Sequence, residues 1–320
     1  MAGTYDGLLL INKEPGYTSS DVVAKLRGIL RQKKIGHTGT LDPEATGLLV
    51  MCLGSATRVA ELLTVHEKEY IAVVKLGVTT DTQDMTGRVI SEGDASFVNH
   101  SILHDTLAAF KGSYEQIPPM YSAIKINGER LYKMAREGKT VERKPRTVNI
   151  AAISIIDDER LGTEHEFTME VRCSKGTYIR TLCDDIGTRL GCGAAMAALI
   201  RTAVGSFRLE NAMLLSEVER CRDDGTLAEH ILPVEDLFRD MDRVDVERDY
   251  INRLSNGNGF GPDKVILDVP GDENDVPADD ERFRDGETVR VYCGGKWFGL
   301  YKYSSALKQF RVEKFFYDPD

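Results

Sequence analysis

The N-terminal part of the chain contains two continuous apolar runs separated by a segment of helical spacing. Residues 7–12 (GLLLIN) and 48–53 (LLVMCL) are almost entirely apolar, which predicts short buried strands. Residues 19–30 place their apolar side chains three and four positions apart, so we expect an amphipathic helix that Ser19 or Ser20 caps. The pattern therefore predicts a strand, a helix and a second strand in that order.

The pattern continues as an irregular alternation of strands and helices. Residues 56–63 have the spacing of a short amphipathic helix, and residues 70–76 indicate a strand. Residues 148–156 predict another strand, residues 167–173 alternate between apolar and polar side chains, and residues 177–190 have helical spacing. We therefore expect an α+β fold in which helices flank a mixed central sheet.

The composition changes after about residue 240. Residues 252–262 and 270–280 are rich in Gly, Asn, Asp and Pro, which is typical of loops or a linker. Residues 288–293, 298–303 and 309–315 then predict short strands separated by turns, as in a small β-barrel or sandwich. A small β-rich C-terminal domain is expected.

Length and composition restrict the class of protein. A chain of 320 residues with 42% hydrophobic and 29% charged residues can bury a core and form one large and one smaller domain. No apolar run approaches the roughly 20 residues that span a bilayer, and the N-terminus lacks the features of a signal peptide, so a cytoplasmic location is expected. The six cysteines form no CxxC pair and no cluster with the six histidines, which predicts reduced thiols and no metal site.

The net charge of −10 argues at first against a nucleic-acid partner, because binding to a polyanion requires basic side chains. The charge is unevenly distributed, however. Residues 121–146 contain eight basic and three acidic side chains, whereas residues 241–320 contain 12 basic and 17 acidic ones. A second basic cluster lies within residues 27–34. Such runs indicate either a nucleic-acid contact or an ordinary solvated face.

Residues 36–49 (GHTGTLDPEATGLL) are the most informative stretch, because glycines, threonines and a proline surround one carboxylate, Asp42. Gly36 and Gly39 permit unusual backbone angles or close approaches, and Pro43 restricts the chain after the aspartate. An aspartate presented by such a loop is a candidate nucleophile or general base. It could also simply cap the following turn. A phosphate-binding loop fits less well, because the GxxxxGK[ST] pattern is missing.

Together with other blocks, this stretch resembles the TruB family of tRNA pseudouridine synthases. The blocks occur in the family's order over roughly 200 residues, which makes a coincidence implausible. A single short motif would not do so. They are LLLINKEPGYTSSDVV at 8–23, the Asp42 stretch, EKEY at 67–70, LGVTTDTQDMTG at 76–87, QIPPMYSAIKINGERLYKMAREG at 116–138, CSKGTYIRTLCDDIG at 173–187, and residues 199–207.

The resemblance implies a fold, an activity and a partner. We expect a pseudouridine synthase fold with a mixed, mostly antiparallel central sheet over residues 1–240, including an RNA-gripping insertion at about 118–147. Residues 245–320 would form a PUA-like or TruB C-terminal RNA-binding domain. The implied reaction converts uridine to pseudouridine at position 55 in the T-arm loop of tRNA without a cofactor. The implied enzyme is a monomer with no obligatory protein partner.

The resemblance also assigns roles to residues. Asp42 is the essential carboxylate, which suits a reaction that develops positive character at the sugar. Tyr70 stacks on the target base and could accept a proton if a nearby positive charge, such as Arg180, helps it. Arg180 also pairs with Asp42 and keeps it ionised. The residues expected to contact the target nucleotide or hold its loop open are His37, Tyr178 and Leu199. On spacing alone, Tyr70, Tyr178 and Leu199 would be ordinary core residues.

Three further features follow from the same resemblance. Lys133, Arg136 and Lys139 in the insertion are expected to contact the RNA backbone. Asp84 matches a recurring polar position without an assigned role. The family often has Leu-Arg-Arg where this chain has Leu199, Ile200 and Arg201, so one phosphate contact fewer is expected there.

Two alternative functions remain open from the sequence. One is a catalytic subunit that needs a guide RNA and partner proteins, as in archaeal and eukaryotic relatives with a similar motif around the aspartate. The other is an RNA-binding folding factor in which catalysis is incidental. Activity of the purified chain on tRNA, and RNA refolding by an Asp42 variant, would distinguish them.

Overall fold

The structure is a computed structural model that describes residues 5–122, 124–126, 128–139, 141–266 and 282–317. Its strands are β1 (Gly7–Lys13), β2 (Ile35–His37), β3 (Thr46–Leu53), β4 (Lys68–Leu76), β5 (Val78–Thr80), β6 (Val89–Glu92), β7 (Gly112–Gln116), β8 (Lys125–Ile126), β9 (Glu129–Arg130), β10 (Arg146–Asp157), β11 (Glu166–Cys173), β12 (Ala194–Val204), β13 (Phe207–Arg208), β14 (Arg243–Val246), β15 (Val265–Ile266), β16 (Thr288–Cys293), β17 (Lys296–Ser304) and β18 (Gln309–Phe315). Its α-helices are α1 (Ser19–Leu30), α2 (Ala60–Thr64), α3 (His100–Ala108), α4 (Leu131–Arg136), α5 (Leu161–Glu164), α6 (Ile179–Leu190), α7 (Leu215–Asp223) and α8 (Ile251–Leu254).

The central sheet has nine strands, and seven of them follow the order β1-β3-β12-β4-β11-β10-β7, with β2 added to β3 and β13 to β12. Every neighbouring pair is antiparallel except β3 and β12, which run parallel over a short stretch. The predicted mixed, mostly antiparallel sheet is therefore confirmed. The parallel junction places Arg201 of β12 opposite Gly47 at the start of β3.

Strands β1 and β3 are buried on both faces, which explains their continuous apolar runs. Leu9 and Met51 pack on one side against α1 and α7, and Leu8 and Val50 pack on the other. Burial on both faces removes the need for polar positions in the sequence. Strand β3 leads out of the Asp42 loop and pairs with β2, which leads into it.

Helix α1 begins one residue earlier than a Ser19 or Ser20 cap would allow. Thr18 is the N-cap, and its hydroxyl accepts from the Asp21 backbone while the Asp21 carboxylate accepts from the Thr18 backbone. The predicted serine cap is therefore wrong. Ser19 is instead buried and accepts a hydrogen bond from the Leu41 backbone in a distant loop.

The helical prediction for residues 56–63 is only partly correct. Residues Gly54–Val59 form a 3₁₀-helix, and α2 starts at Ala60. Helices α3 and α6 cover the other end of the sheet, where Leu103 and Leu182 join its core. No helix in the described part of the chain has the length and apolar character needed to cross a membrane.

A second sheet of five strands, ordered β15-β14-β16-β17-β18, contains the three strands predicted near the C-terminus. Leu300 of β17 and Phe316, which directly follows β18, pack into the core beside β1 and β3, and Arg58 donates to the Phe315 carbonyl at 2.8 Å. The predicted loop at 252–262 begins inside α8. The one predicted at 270–280 lies outside the described residues.

Candidate active site

Asp42 lies in the loop between β2 and β3, residues 38–45, and hydrogen bonds fix this loop along its length. The Thr38 backbone N–H donates to a β3 carbonyl at 3.1 Å. The Leu41 backbone N–H donates to the Ser19 hydroxyl at 2.9 Å. Because partners from two other elements hold the backbone, the direction of the Asp42 side chain is set before any substrate binds.

Two buried cations bind the carbonyl groups of this loop and of β3. Arg201 donates to the Gly39 carbonyl at 3.1 Å and to the Leu48 carbonyl at 2.7 Å. Lys13 donates to the Pro43 carbonyl at 2.8 Å. Both side chains are 1% exposed, and burial lowers the pKa of Lys13 to about 8. Their charges are thus used to hold loop geometry rather than to contact solvent.

Gly47 allows β12 to approach this loop. Its φ is +99°, and a Cβ there would lie 2.4 Å from the Arg201 carbonyl oxygen. No larger residue fits without moving β12 or β3. The glycine therefore brings the backbone of Arg201 close enough for its side chain to reach the Asp42 loop.

Arg180, the second residue of α6, pairs with Asp42. Its Nε lies 2.9 Å from Asp42 Oδ2, and its Nη2 donates to Oδ1 at 3.2 Å. Nη2 also donates to the Tyr121 carbonyl at 2.9 Å. The Arg180 side chain is 5% exposed, whereas that of Asp42 is 37% exposed. The arrangement holds a partly exposed carboxylate against a buried guanidinium.

Asp84 contacts the other side of the same guanidinium. Its Oδ2 lies 3.4 Å from Arg180 Nη1, and that nitrogen also donates to the Thr82 carbonyl at 3.1 Å. The Asp84 carboxylate accepts from the Thr82 hydroxyl and from the Thr86 backbone, which closes the turn after β5. Asp84 therefore orients Arg180 from a turn that it also stabilises.

The surroundings of Asp42 act on its pKa in opposite directions. Burial raises the pKa above its ordinary value, the Arg180 charge lowers it, and the Asp84 charge raises it, with a net rise. Arg180 therefore limits the rise rather than abolishing it. An ionised Asp42 is obtained above this raised pKa.

Tyr70 and Leu199 lie on neighbouring strands beside the loop. Tyr70, on β4, is 8% exposed, and Leu199, on β12, is 7% exposed. Both belong to one core cluster with Leu41, which adjoins Asp42. Burial raises the pKa of Tyr70, and the arginine that opposes this shift most is Arg201. The phenol is therefore neutral at pH 7, and its charged neighbour is not the Arg180 expected from the sequence.

His37 is the last residue of β2, and Tyr178 directly precedes α6. Both residues are partly exposed. The His37 Nδ1 is buried and, within the described residues, has no hydrogen-bond partner. Burial and the Arg201 charge lower the pKa of His37, so its ring is neutral at pH 7. Burial raises the pKa of Tyr178. Each ring keeps a surface that a substrate could contact.

The residues predicted to contact the RNA backbone lie on the insertion. Lys133 and Arg136 project from α4, Lys139 follows it, and all three are exposed. Lys139 pairs with Glu137 at 2.7 Å, with both side chains more than half exposed. These cations are available to solvent, unlike those around the Asp42 loop.

Sequence reasoning missed the roles of two basic residues, Lys13 and Arg201. The signal for each was a basic residue next to or within an apolar strand, where an unpaired charge is costly. Ile200 is 37% exposed while Arg201 is buried, so Arg201 faces the loop carbonyls and not a phosphate. Among the described side chains, no group of three or more His, Cys, Asp or Glu could hold a metal ion.

Two family models match consecutive parts of the chain. Residues 27–179 match "TruB family pseudouridylate synthase (N terminal domain)", and residues 180–239 match "tRNA pseudouridylate synthase B C-terminal domain". Asp42 falls in the first segment, and Arg180 and Arg201 fall in the second.

Curated relatives extend this similarity over nearly the whole chain. The "tRNA pseudouridine synthase B" of Lachnoclostridium phytofermentans is 45% identical over 316 residues, which are 97% of this chain and 99% of the relative. The protein of the same name from Staphylococcus haemolyticus is 44% identical over 261 residues, 80% of this chain and 85% of the relative.

Solved structures share the fold at lower identity. A chain in "Crystal Structure of a Cbf5-Nop10-Gar1 Complex" has a TM-score of 0.68 and 26% identity, covering 97% of this chain and 85% of its own length. A chain in "Structure of H/ACA RNP bound to a substrate RNA containing 2'-deoxyuridine" has a TM-score of 0.68 and 24% identity, covering 98% and 86%.

Proposed function

The chain belongs to the TruB family of pseudouridylate synthases and is therefore an isomerase, and we propose that it converts the uridine at position 55 in the T-arm loop of tRNA to pseudouridine, with Asp42 as its essential carboxylate. The tRNA substrate is supported by the relatives' name, tRNA pseudouridine synthase B. The observation that carries the role of Asp42 is its half-exposed carboxylate, held by the buried Arg180 at 2.9 Å.

The reaction needs no group beyond those of the protein and the substrate. The N1–C1′ glycosidic bond breaks, the uracil turns, and a C5–C1′ bond forms, while C5 loses a proton and N1 gains one. Positive character develops at the sugar when the first bond breaks, and an ionised carboxylate beside it stabilises that charge. Asp42 can serve either by adding to C1′ or by assisting loss of the C2′ proton. Both routes require the ionised carboxylate that Arg180 favours.

The target base must leave the RNA stack to reach Asp42, which costs a few kcal/mol. We assign Tyr70 as the surface on which the flipped base stacks, an interaction worth roughly 1–3 kcal/mol per base. His37, with its unused Nδ1, fills the space that the base vacates. We assign Tyr178 and Leu199 to contacts with the same nucleotide. A neutral, buried Tyr70 favours stacking over proton acceptance.

We assign the contacts with the RNA backbone to two surfaces, one in the 1–240 catalytic domain and one in a 245–320 RNA-binding domain. The insertion at 118–147 places Lys133, Arg136 and Lys139 in solvent, where they can neutralise phosphates. In the second domain, Lys302 and Arg311 are exposed and directly opposite each other on β17 and β18. Both cations lie in solvent, where they can bind phosphates.

The test is incubation of the purified chain with unmodified tRNA, followed by mapping of pseudouridine at single-nucleotide resolution. Product at position 55, without guide RNA or a second protein, is expected from a stand-alone enzyme that acts as a monomer. If the folded chain is inactive alone but active with a guide RNA and partner proteins, the guide-dependent alternative is correct. An Asp42→Asn variant that refolds tRNA as well as the wild type would reveal an additional folding activity.

A further inference from the structure

Helix α6, which carries Arg180, begins without a cap from its own sequence. Tyr178 is the N-cap residue, and its side chain makes no capping hydrogen bond. The backbone groups at the start of a helix lack intrahelical partners and must find them elsewhere. Because Arg180 lies only two residues further on, whatever fixes this start also fixes the position of the guanidinium.

Gln116 supplies the missing contacts from another element. Its Oε1 accepts from the Tyr178 backbone N–H at 2.8 Å, and its Nε2 donates to the Tyr178 carbonyl at 3.0 Å. The side-chain amide thus bonds to both backbone groups of one residue, as a neighbouring strand would. The Tyr178 carbonyl also accepts from the Leu182 backbone at 3.0 Å, so Gln116 contacts the atom that opens the helical hydrogen-bond ladder.

The location of Gln116 makes this contact rigid. The residue is 1% exposed and ends β7, where it pairs with Arg146 of β10. Its Nε2 also donates to the Tyr114 hydroxyl on the same strand. The amide is therefore anchored to the edge of the central sheet, immediately before the insertion that begins near residue 118.

We propose that Gln116 is a positioning residue for the reaction: its amide fixes the start of α6 and thereby holds Arg180 against Asp42. The inference rests on the proposed roles of Asp42 and Arg180. Arg180 makes close contacts with Asp42, Asp84 and the Tyr121 carbonyl. A small rotation of the first helical turn would break several of them together.

The main variant is Gln116→Met, which keeps the shape of the side chain and removes both contacts with Tyr178. Turnover is measured as release of tritium from C5 of labelled uridine in a tRNA transcript. We expect kcat to fall by about 10²-fold, the scale of a misplaced catalytic group, with KM changed less than about twofold. The acid limb of the kcat profile should move to higher pH, because a displaced Arg180 no longer lowers the pKa of Asp42.

The matched control is Val148→Ala, a buried position on β10 that lies opposite Tyr114 in the register of the sheet. It should lower the unfolding temperature without lowering kcat or moving the acid limb. The loss in Gln116→Met should also be non-additive with Arg180→Lys, because both act through one ion pair. Equal kinetic effects of Gln116→Met and Val148→Ala would overturn the proposal, as would an unchanged kcat and acid limb in Gln116→Met.

A readout that needs no turnover separates this inference from the proposed function. The ¹⁵N NMR signal of the Arg180 Nη2 protons, which are donated to Asp42 and to the Tyr121 carbonyl, should be slow to exchange in the wild type and fast to exchange in Gln116→Met. If the wild type forms no pseudouridine, the proposed function fails, yet loss of this protection would still support the role of Gln116 in placing Arg180. An Arg180 signal unaffected by Gln116→Met would overturn that role whether or not the enzyme is active.

Discussion

The loop at 38–45 and the insertion at 118–147 both depend on basic side chains but use them in opposite ways. Around the loop, Lys13 and Arg201 are 1% exposed and donate to backbone carbonyls. On the insertion, Lys133 and Arg136 are exposed to solvent. A buried cation must satisfy its donors and so fixes the groups around it, whereas an exposed cation remains available to a polyanion.

We infer from this contrast that the cations around the loop set the geometry of the reaction and that those on the insertion bind the substrate. If it is correct, changes at the loop lower kcat with little effect on RNA binding, and changes at the insertion weaken binding with little effect on kcat. The net charge of −10 is then uninformative about either region, because each depends on where a few cations lie.

The largest effect is expected for Asp42→Asn, which removes the charge and keeps the shape. We expect kcat to fall by about 10³-fold or more, since stabilisation of charge in the transition state is lost, while the Kd for tRNA changes less than about threefold. Turnover and filter binding measure the two quantities. Glu44→Gln, an exposed carboxylate in the same loop, is the matched control and should retain wild-type turnover. Wild-type turnover in Asp42→Asn would remove Asp42 from the reaction.

Arg201→Lys tests whether the hydrogen bonds from Arg201 to backbone carbonyls fix the loop at 38–45. A lysine keeps the charge but cannot reach the Gly39 and Leu48 carbonyls together, so we expect kcat to fall by about 10²-fold. The free energy of unfolding should fall by about 1–3 kcal/mol, measured in urea, because a buried acceptor is left unpaired. Arg172→Lys is the control, since Arg172 is half exposed and forms a surface ion pair with Glu67. If both variants behave alike, the loop does not depend on the hydrogen bonds of Arg201.

Asp84→Asn should have a smaller effect with a defined pH dependence. The Asp84 charge raises the pKa of Asp42, so its removal should lower that pKa and move the acid limb of kcat to lower pH. At neutral pH, weaker orientation of Arg180 should cost about 10-fold in kcat, equivalent to roughly 1.4 kcal/mol. Asp81→Asn, in the same turn, is the control. A shift of the limb to higher pH would show that Asp84 acts mainly by keeping Arg180 in place.

The sequence predicted those features of fold and site that depend on local pattern. The continuous apolar runs of β1 and β3 located two strands buried on both faces, and the glycine-rich stretch singled out Asp42 as the candidate carboxylate. The cap of α1 was misplaced by one residue because Ser19 is recruited by Leu41, 22 residues away. Local spacing does not reveal such competition.

The roles of Arg201 and Gln116 could not be predicted from spacing, because the groups that they contact are distant in sequence. Arg201 reaches a carbonyl 162 residues away, and Gln116 binds a backbone 62 residues away. Family resemblance drew attention to the residues proposed to react, whereas the supporting residues became recognisable only from burial combined with hydrogen bonding. Asp84 was recognised as a polar position, but its role required the position of Arg180.

Replacing Lys133, Arg136 and Lys139 together with alanine tests whether the insertion contacts the RNA backbone. Binding of tRNA should weaken, and each lost phosphate contact should reduce the slope of log K against log salt by roughly 0.7–0.9. At saturating tRNA, kcat should stay within about twofold of wild type. A control triple variant at Lys111, Arg189 and Arg220, which are exposed basic residues outside the insertion, should keep the wild-type slope. An unchanged slope in the first variant would show that the insertion does not contact the backbone.

The smallest effect is expected from changing the sequence of the RNA stem. If the insertion contacts phosphates and the pocket reads a flipped base, an isolated T-arm stem-loop should be a substrate, and scrambling its stem with pairing preserved should change kcat/KM by less than about twofold. Replacing the target uridine by cytidine, or disrupting pairing within the loop, should abolish product, which gives the comparison its internal control. If the isolated arm is inert while full-length tRNA reacts, the grip must extend further, and Lys302 and Arg311 on the second sheet become the next residues to replace, because they are exposed and adjacent on β17 and β18.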